Sequence, residues 1–343
     1  MKKVDYIIVG DGFASMFFAH QLLKNNKSFV VFSDGQQGAS KISAGIVNPV
    51  VLKKFTTFSG ALEQITSLTK VLDEMEIYLK QNSRVNEPVY RLFHDVKEKE
   101  TWLKKAGNED LIPFLDSEFS SFIGVENPFG AGKVKHSFRV NVPLFFSLMQ
   151  SYLKNINSLI EEQFDYSKLN TEVKIYGDHS YSKIIFAEGI GVKNNPYFKT
   201  IPIVVNKGHH LTLKIDEYSL SETVKKKFFL FPLNENEYYY GGTYDRDNET
   251  SQIDARAKEQ LISGLEEMIS NSYSITEITY GFRPTVKDRK PILGSHPTEK
   301  DMFVFNGLGT RGLLNGAVYS EILFDYIETN SQLPEEVDIK RFS

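Results

Sequence analysis

The chain has 343 residues, of which 41% are hydrophobic, so it is long enough to form two closely packed domains with buried cores. Its formal net charge is −4 and its longest basic cluster covers only residues 225–227, which argues against a nucleic-acid partner. The absence of cysteine excludes disulfide bonds, a thiolate nucleophile and zinc–thiolate sites, so any redox chemistry requires a bound cofactor.

The first 33 residues predict a βαβ unit. Residues 4–9 form a β-branched-rich run closed by Gly10, which is typical of a buried parallel strand. Apolar residues then recur at helical spacing over 14–23, and residues 29–32 predict a second buried strand. The short connection between the two strands suits a right-handed parallel crossover.

The N-terminal segment and the length of the apolar runs indicate where in the cell the protein is expected. No signal-peptide pattern precedes the first strand, and no apolar run reaches the roughly 20 residues of a membrane helix. We therefore expect a cytoplasmic protein without a membrane partner, whose oligomeric state the sequence leaves open.

A glycine-rich loop follows the first predicted strand. The run Gly10-Asp11-Gly12-Phe13-Ala14-Ser15 lies between strand and helix, where a dinucleotide-binding fingerprint belongs. Gly10 is expected to make the tight turn, and Gly12 to let the backbone approach a pyrophosphate at the helix N-terminus. Ser15 stands in place of the third glycine, as a small polar residue.

The position that usually binds the adenosine ribose departs from the dinucleotide-binding motif. The acidic residue usual at the end of the second strand is replaced by Ser33, with Asp34 directly after it. Either Asp34 makes the ribose contact or Ser33 makes a weaker, neutral one. On this motif alone, NAD as the sole cofactor is the alternative.

The remaining elements predict a second kind of sheet. Helices are predicted over 141–153, 255–269 and 313–327, and strands over 183–187, 210–215, 228–232 and 237–242. The middle strands are rich in Tyr and Phe and are separated by turn residues, which indicates an antiparallel sheet.

Three segments resemble the D-amino-acid oxidase family of FAD-dependent oxidoreductases, which includes glycine and sarcosine oxidase-like enzymes. They are residues 39–49 (ASKISAGIVNP), residues 186–189 (FAEG, in which Glu188 is unusual), and residues 281–313, with Gly281-Phe282-Arg283-Pro284 and the run NGLGTRGL. The resemblance implies that Ser40 contacts the pyrophosphate and that Ala44, Gly45 and Ile46 run beside the isoalloxazine ring. The fingerprint and the resemblance together predict these cofactor-binding residues: Gly10, Gly12, Phe13, Ala14, Ser15, Ser33, Asp34, Ser40, Ala44, Gly45, Ile46, Ala187, Gly189, Gly309, Thr310, Arg311, Gly312 and Leu313.

The resemblance also implies the fold and the cofactor. It predicts an α/β fold, with a Rossmann-like FAD-binding domain formed by residues 1–54, 139–200 and 274–343. A mainly antiparallel β-sheet substrate domain is inserted into it, formed by residues 55–138 and 201–273. We expect FAD to be bound noncovalently, because residues 40–49 contain no Cys or His.

Two arginines are the candidate substrate residues. Arg283 matches the family arginine that binds the substrate carboxylate, although a structural salt bridge would also explain an arginine there. Arg311 stands where relatives that oxidise N-methyl amino acids carry a lysine. His209 and His210 are adjacent on a predicted strand and point to opposite faces, so we predict no metal site.

The predicted function is oxidation of the C–N bond of a small amine or amino acid by hydride transfer to flavin N5. Orientation is expected to carry the catalysis, and no general base is assigned. The sequence does not separate an oxidase from a dehydrogenase. The run NGLGTRGL also resembles the FAD domain of an enzyme that modifies the wobble uridine of tRNA. A flavin-binding protein without turnover and a nicotinamide-dependent dehydrogenase are further alternatives.

Overall fold

The computed structural model describes residues 1–342. Its six α-helices are α1 (Phe13–Lys24), α2 (Ala61–Leu79), α3 (Val96–Ala106), α4 (Val142–Asn155), α5 (Ala255–Glu266) and α6 (Gly312–Thr329). Its strands are β1 (Lys2–Val9), β2 (Phe29–Phe32), β3 (Ile46–Val47), β4 (Val50–Val51), β5 (Thr56–Thr57), β6 (Arg84–Val85), β7 (Val89–Leu92), β8 (Leu115–Ser120), β9 (Ala131–Val134), β10 (Phe138–Val140), β11 (Leu159–Ile160), β12 (Leu169–Asn170), β13 (Ile175–Tyr176), β14 (His179–Phe186), β15 (Ile203–Ile215), β16 (Thr223–Lys225), β17 (Phe229–Pro232), β18 (Tyr238–Gly241), β19 (Tyr273–Val286), β20 (Ile292–Ser295) and β21 (Met302–Asn306). Within residues 1–342, the helices do not combine the length and the apolar composition of a membrane-spanning segment.

The first sheet contains the predicted βαβ unit. Its central strands run parallel in the order β2-β1-β14-β21, with β11 beside β2 and β20 antiparallel to β21. The β12-β13 hairpin pairs with the start of β14. Val9 is level with both Phe32 and Phe186, so the carboxyl ends of three strands meet at one edge of the sheet. The predicted first strands and their connecting helix are confirmed.

Two helices pack closely on one face of this sheet. A Cβ atom at Gly312 would lie 3.0 Å from the Phe13 ring, and one at Gly316 would lie 2.6 Å from the Phe17 ring. Glycine at these positions therefore lets α6 approach α1. The same buried core includes Leu68 and other apolar residues of α2.

The second sheet is mainly antiparallel, as predicted. Its strand order is β19-β15-β18-β17-β16-β7-β9-β8, and only β16 and β7 pair in parallel. The long strands β15 and β19 pair from Ile203–Val286 to Ile215–Tyr273. α5 packs against this sheet through Leu261 and Leu265.

The predicted helices near 141, 255 and 313 are confirmed, with small shifts at their ends. Asn141 precedes α4 and its side chain accepts a hydrogen bond from the Leu144 N–H, which favours a helix start there. Asp254 caps α5 in the same way. α5 ends at Glu266 rather than at 269, and α6 runs two residues beyond the predicted 327.

The division into two domains stays a proposal, and two elements cross its predicted boundaries. α2, assigned to the substrate domain, shares a buried core with α1 and α6 of the nucleotide-binding domain. β19, assigned almost wholly to the FAD-binding domain, pairs along its length with β15 in the second sheet. Val286, the last residue of β19, lies in one buried core with residues of β1 and β14, so β19 connects the second sheet to the first.

Candidate active site

The glycine loop lies at the carboxyl edge of the first sheet. Gly10 has a φ of +108°, and a Cβ atom there would lie 2.5 Å from the carbonyl oxygen of Ala187. Both facts restrict the position to glycine. The first predicted loop thus contacts the predicted strand end at 186–189.

The start of α1 suits an anionic phosphate. Gly12 is the N-cap and so has no side chain to cap the helix, whose first turn has no acidic residue. The Phe13 N–H donates to Ser40 Oγ at 3.2 Å, which places Ser40 at this helix end. The hydroxyl oxygens of Ser15 and Ser43 are buried without a hydrogen-bond partner among residues 1–342. Free donors and a positive helix end fit the pyrophosphate of a dinucleotide.

The segment that contains Ser40 packs against the glycine loop. A Cβ atom at Gly12 would lie 3.0 Å from Ser40 Oγ, and one at Gly281 would lie 2.2 Å from Ile42 Cδ1. Gly45 has a φ of +67°, and its Cβ atom would lie 2.0 Å from a carbonyl oxygen of β10. This segment therefore bridges the glycine loop and β19.

Two further predicted segments meet beside Pro284. The Gly309 N–H donates to the Pro284 carbonyl at 2.9 Å, and Asn306 Nδ2 donates to the Gly189 carbonyl at 2.8 Å. A Cβ atom at Gly189 would lie 3.8 Å from Pro284 Cγ. The structure thus joins the segments that the resemblance groups together, and it places Arg283 directly next to them.

The other predicted cofactor residues have varied surroundings. Ala14 and Leu313 are buried in the core between α1 and α6. Ile46 lies in β3, and Ala44 and Thr310 lie in the loops before β3 and α6. Ser33 is buried at the end of β2, whereas Asp34 is exposed and its carboxylate accepts a hydrogen bond from the Gln36 N–H. Their roles toward the cofactor stay predictions.

Arg283 lies on the face of the second sheet that carries Asn206 and Gly208. Its Nη1 donates to Asn206 Oδ1 at 3.3 Å and to the Thr243 carbonyl at 3.1 Å. A Cβ atom at Gly208 would lie 2.2 Å from Nη2, so the guanidinium needs glycine beneath it. Both acceptors are uncharged, and no carboxylate of residues 1–342 forms an ion pair with Arg283. A partly exposed cation without a counter-ion favours an anionic ligand.

Aromatic rings lie on the same face of the second sheet as this guanidinium. Tyr239 is buried and stacks between His210 and Phe231, with ring centres 4.6 Å and 4.7 Å away. Burial raises the pKa of Tyr239 to about 12. Burial, followed by the charge of Arg283, lowers the pKa of His210 to about 4. Both side chains are therefore neutral near pH 7, and the positive charge here belongs to Arg283.

The two adjacent histidines point to opposite faces, as the sequence predicts. His210 stacks on Tyr239, on the Arg283 face. His209 lies on the other face, where its Nε2 accepts a hydrogen bond from the Asp254 N–H at 3.2 Å. His209 thus holds the start of α5.

Arg311 lies at the start of α6, and its guanidinium carbon is 4.0 Å from the centre of the Phe58 ring. Partial burial of the side chain lowers the pKa of Arg311, while the Tyr319 and Tyr244 phenols act in the opposite direction. The ring of Tyr244 lies 4.6 Å from the guanidinium carbon of Arg283. Tyr244 is thus near both arginines, neither of which forms an ion pair within residues 1–342.

Sequence motifs did not single out Asn206, Phe58 or Tyr244. The sequence held one signal of this site. Gly208 lies inside a strand, where a glycine often marks the close approach of another group. The arginine that occupies this space comes 75 positions later, and only the pairing of Asn206 with Arg283 identifies it.

A buried lysine fixes the loop that carries Tyr244. Lys207 is fully buried, and its ammonium donates to the carbonyls of Thr250, at 2.6 Å, and Gln252. It also lies 4.8 Å from the centre of the Tyr280 ring. The charge is therefore satisfied by carbonyl dipoles and a ring face rather than by an acid.

We predict that Lys207→Met destabilises the loop of residues 243–254, because it removes the charged donor that binds the carbonyls of Thr250 and Gln252. The free energy of unfolding should fall by about 2–3 kcal/mol. Hydrogen exchange measured by mass spectrometry should rise selectively in this loop. Lys214→Met, which changes an exposed lysine of the same strand, is the matched control. Unchanged exchange of the loop in a folded Lys207→Met protein would contradict this role.

Comparison with known proteins identifies the family and the fold. A family model described as DAO, FAD dependent oxidoreductase, matches residues 5–326. The chain is 22% identical to a glycine oxidase of Bacillus licheniformis, in an alignment covering 98% of this chain and 96% of that protein. It superposes on the crystal structure of glycine oxidase from Geobacillus kaustophilus with a TM-score of 0.79, at 17% identity over 100% and 98% of the two chains. The structure of iminodiacetate oxidase from Chelativorans sp. BNC1 gives a TM-score of 0.75, at 16% identity over 96% and 97%. The predicted fold class and the sequence resemblance are confirmed.

Proposed function

This chain belongs to the DAO family of FAD-dependent oxidoreductases, and we propose that it oxidises the C–N bond of a small amino acid whose carboxylate binds Arg283. One observation carries the proposal. Arg283 has only uncharged acceptors, and it directly precedes Pro284, whose carbonyl binds the Gly309 N–H of a predicted cofactor loop. A carboxylate on Arg283 would therefore lie next to the cofactor site.

The residues of the chain orient the substrate. The guanidinium fork matches a carboxylate with two parallel hydrogen bonds, which fixes both the position and the direction of the amino acid. Gly208, which has no side chain, leaves room for the Arg283 guanidinium. The Tyr244 ring packs against the guanidinium from another side. Orientation of this kind supplies much of the rate enhancement when no covalent enzyme chemistry is needed.

Bound FAD supplies the two-electron acceptor for the hydride that leaves the substrate carbon. The amine nitrogen loses a proton in the same oxidation, and water then hydrolyses the resulting imine to an oxo acid and an amine or ammonia. Neutral His210 and protonated Tyr239 add no charge beside the substrate amine. We therefore assign these two residues to shaping the site rather than to proton transfer.

The names of similar proteins support this substrate class. The comparisons include a glycine oxidase and an iminodiacetate oxidase, and both of the named compounds carry a carboxylate and an amine. The unpaired guanidinium of Arg283 fits the feature that the two compounds share.

Anaerobic titration of the purified protein tests the proposal. Glycine, N-methylglycine, iminodiacetate and both enantiomers of alanine and proline are added in turn, and bleaching of the visible flavin band is recorded. Each is paired with its decarboxylated amine, such as methylamine for glycine. We expect at least one amino acid to bleach the flavin much faster than its amine partner. A yellow protein that none of these compounds reduces would favour a flavin-binding protein without turnover.

We predict that FAD is held noncovalently, since residues 40–49 offer neither Cys nor His for attachment. Acid precipitation should release the yellow colour into the supernatant, where absorbance measures it. Colour that stays with the washed protein pellet would contradict noncovalent binding.

A further inference from the structure

Asp11, Ser33 and Lys41 form a cluster beside the glycine loop. The Ser33 hydroxyl donates to Asp11 Oδ2 at 2.5 Å, and the Lys41 ammonium donates to the same oxygen at 2.6 Å. Asp11 is only 9% exposed. A carboxylate is thus held one hydrogen bond away from Ser33, the position where this fold usually carries its ribose-binding acid.

The second oxygen of this carboxylate is free. Asp11 Oδ1 accepts no hydrogen bond from any of residues 1–342. This oxygen is not fully buried, so solvent reaches it. Asp34, the other acidic candidate, is exposed, and its Oδ1 accepts the Gln36 N–H at 2.9 Å. Among the described residues, Asp11 therefore offers the carboxylate that is hydrogen-bonded to buried Ser33 at the end of β2.

We propose that Asp11 is the residue that binds the hydroxyls of the FAD adenosine ribose, so that the acid has moved from the end of β2 into the glycine loop. Ser33 and Lys41 are the positioning residues that hold it. The proposal concerns the cofactor and is independent of the proposed substrate.

Lys41 gives this arrangement an electrostatic basis. A carboxylate in the glycine loop lies near the helix end that suits the pyrophosphate, and the two negative charges would repel each other. The ammonium of Lys41 offsets the charge of Asp11. It also donates to the Gln36 carbonyl at 2.9 Å, which ties the segment before Ser40 to the glycine loop.

Calorimetry of ADP and 2′,3′-dideoxy-ADP binding to the 343-residue chain, after removal of FAD, tests the proposal. Loss of two hydroxyls that bind a carboxylate should weaken binding about 10- to 100-fold in the unmodified protein. Asp11→Asn keeps the shape of the side chain but removes the charge, and it should reduce this preference to about threefold or less. Asp34→Asn is the matched control and should keep the full preference.

FMN separates a ribose contact from a general structural role, because it lacks the adenosine half of FAD. In Asp11→Asn the affinity for FAD should fall about tenfold or more, while the affinity for FMN stays within about twofold. Equal losses for FAD and FMN would overturn the proposal. The proposal would also be overturned if Asp34→Asn lost the preference for ADP over 2′,3′-dideoxy-ADP, or if the unmodified protein showed no such preference. If Asp11→Asn does not fold, Ser33→Ala replaces it as a milder change that leaves the carboxylate in place. This variant should lose part of the preference for ADP over 2′,3′-dideoxy-ADP.

Discussion

Replacing Arg283 with leucine is expected to lower kcat/KM for an amino acid by about 30- to 1000-fold relative to the matching decarboxylated amine. Loss of a charge-assisted, bidentate contact to a carboxylate costs roughly 2–4 kcal/mol, which corresponds to this range. The loss should be selective, because only the amino acid carries the carboxylate that the guanidinium binds. Steady-state kinetics on both substrates, with FAD content measured in parallel, give the comparison.

Two further variants control for other effects of this change. Arg246→Leu removes an exposed arginine from the loop that contains Tyr244, and it should leave the ratio between the two substrates unchanged. Arg283→Lys retains the charge but not the planar fork, so an intermediate loss is expected. If Arg283→Leu slows both substrates equally, Arg283 joins Asn206 of β15 to Thr243 of the loop rather than binding the substrate. Arg311 would then be the next residue to test.

Gly12→Val is expected to abolish FAD binding, with affinity falling by more than about 100-fold. A Cβ atom at Gly12 would lie 3.0 Å from Ser40 Oγ, and valine adds two methyl groups to this close contact. Overpacking costs about 1–3 kcal/mol, and each charge-assisted hydrogen bond lost from the pyrophosphate adds about 1.5–3 kcal/mol. Flavin fluorescence titration of the purified variant measures the affinity.

Gly38→Val provides the matched control for this substitution. Gly38 is exposed in the same region, and a Cβ atom there would have no neighbour within 4 Å. It should therefore retain FAD at the level of the unmodified protein. A folded Gly12→Val protein with one FAD per chain would show that the loop does not cradle the pyrophosphate.

The sequence predicted local elements of the fold but not which distant elements pack against them. The β1-α1-β2 unit was predictable because its signals are local: a β-branched run, a glycine turn and apolar residues at helical spacing. α2 lies in a segment that the sequence-based division places in the substrate domain, yet its apolar face packs against α1 and α6, from distant parts of the chain. Periodicity shows that a helix face is buried but does not identify what covers it.

The sequence by itself determined the family resemblance, the glycine loops and Arg283 as a candidate, because these depend on residue types at fixed spacing. Only the tertiary structure decided what surrounds them. The register of β15 and β19 places Arg283 over Gly208 and beside Asn206, and the loop held by Lys207 brings Tyr244 to the same guanidinium. Likewise, Asp11 lies 22 positions before Ser33, and the parallel pairing of β1 with β2 makes them hydrogen-bonded neighbours. Contacts between distant segments follow from strand register and helix packing, which no local pattern of residues encodes.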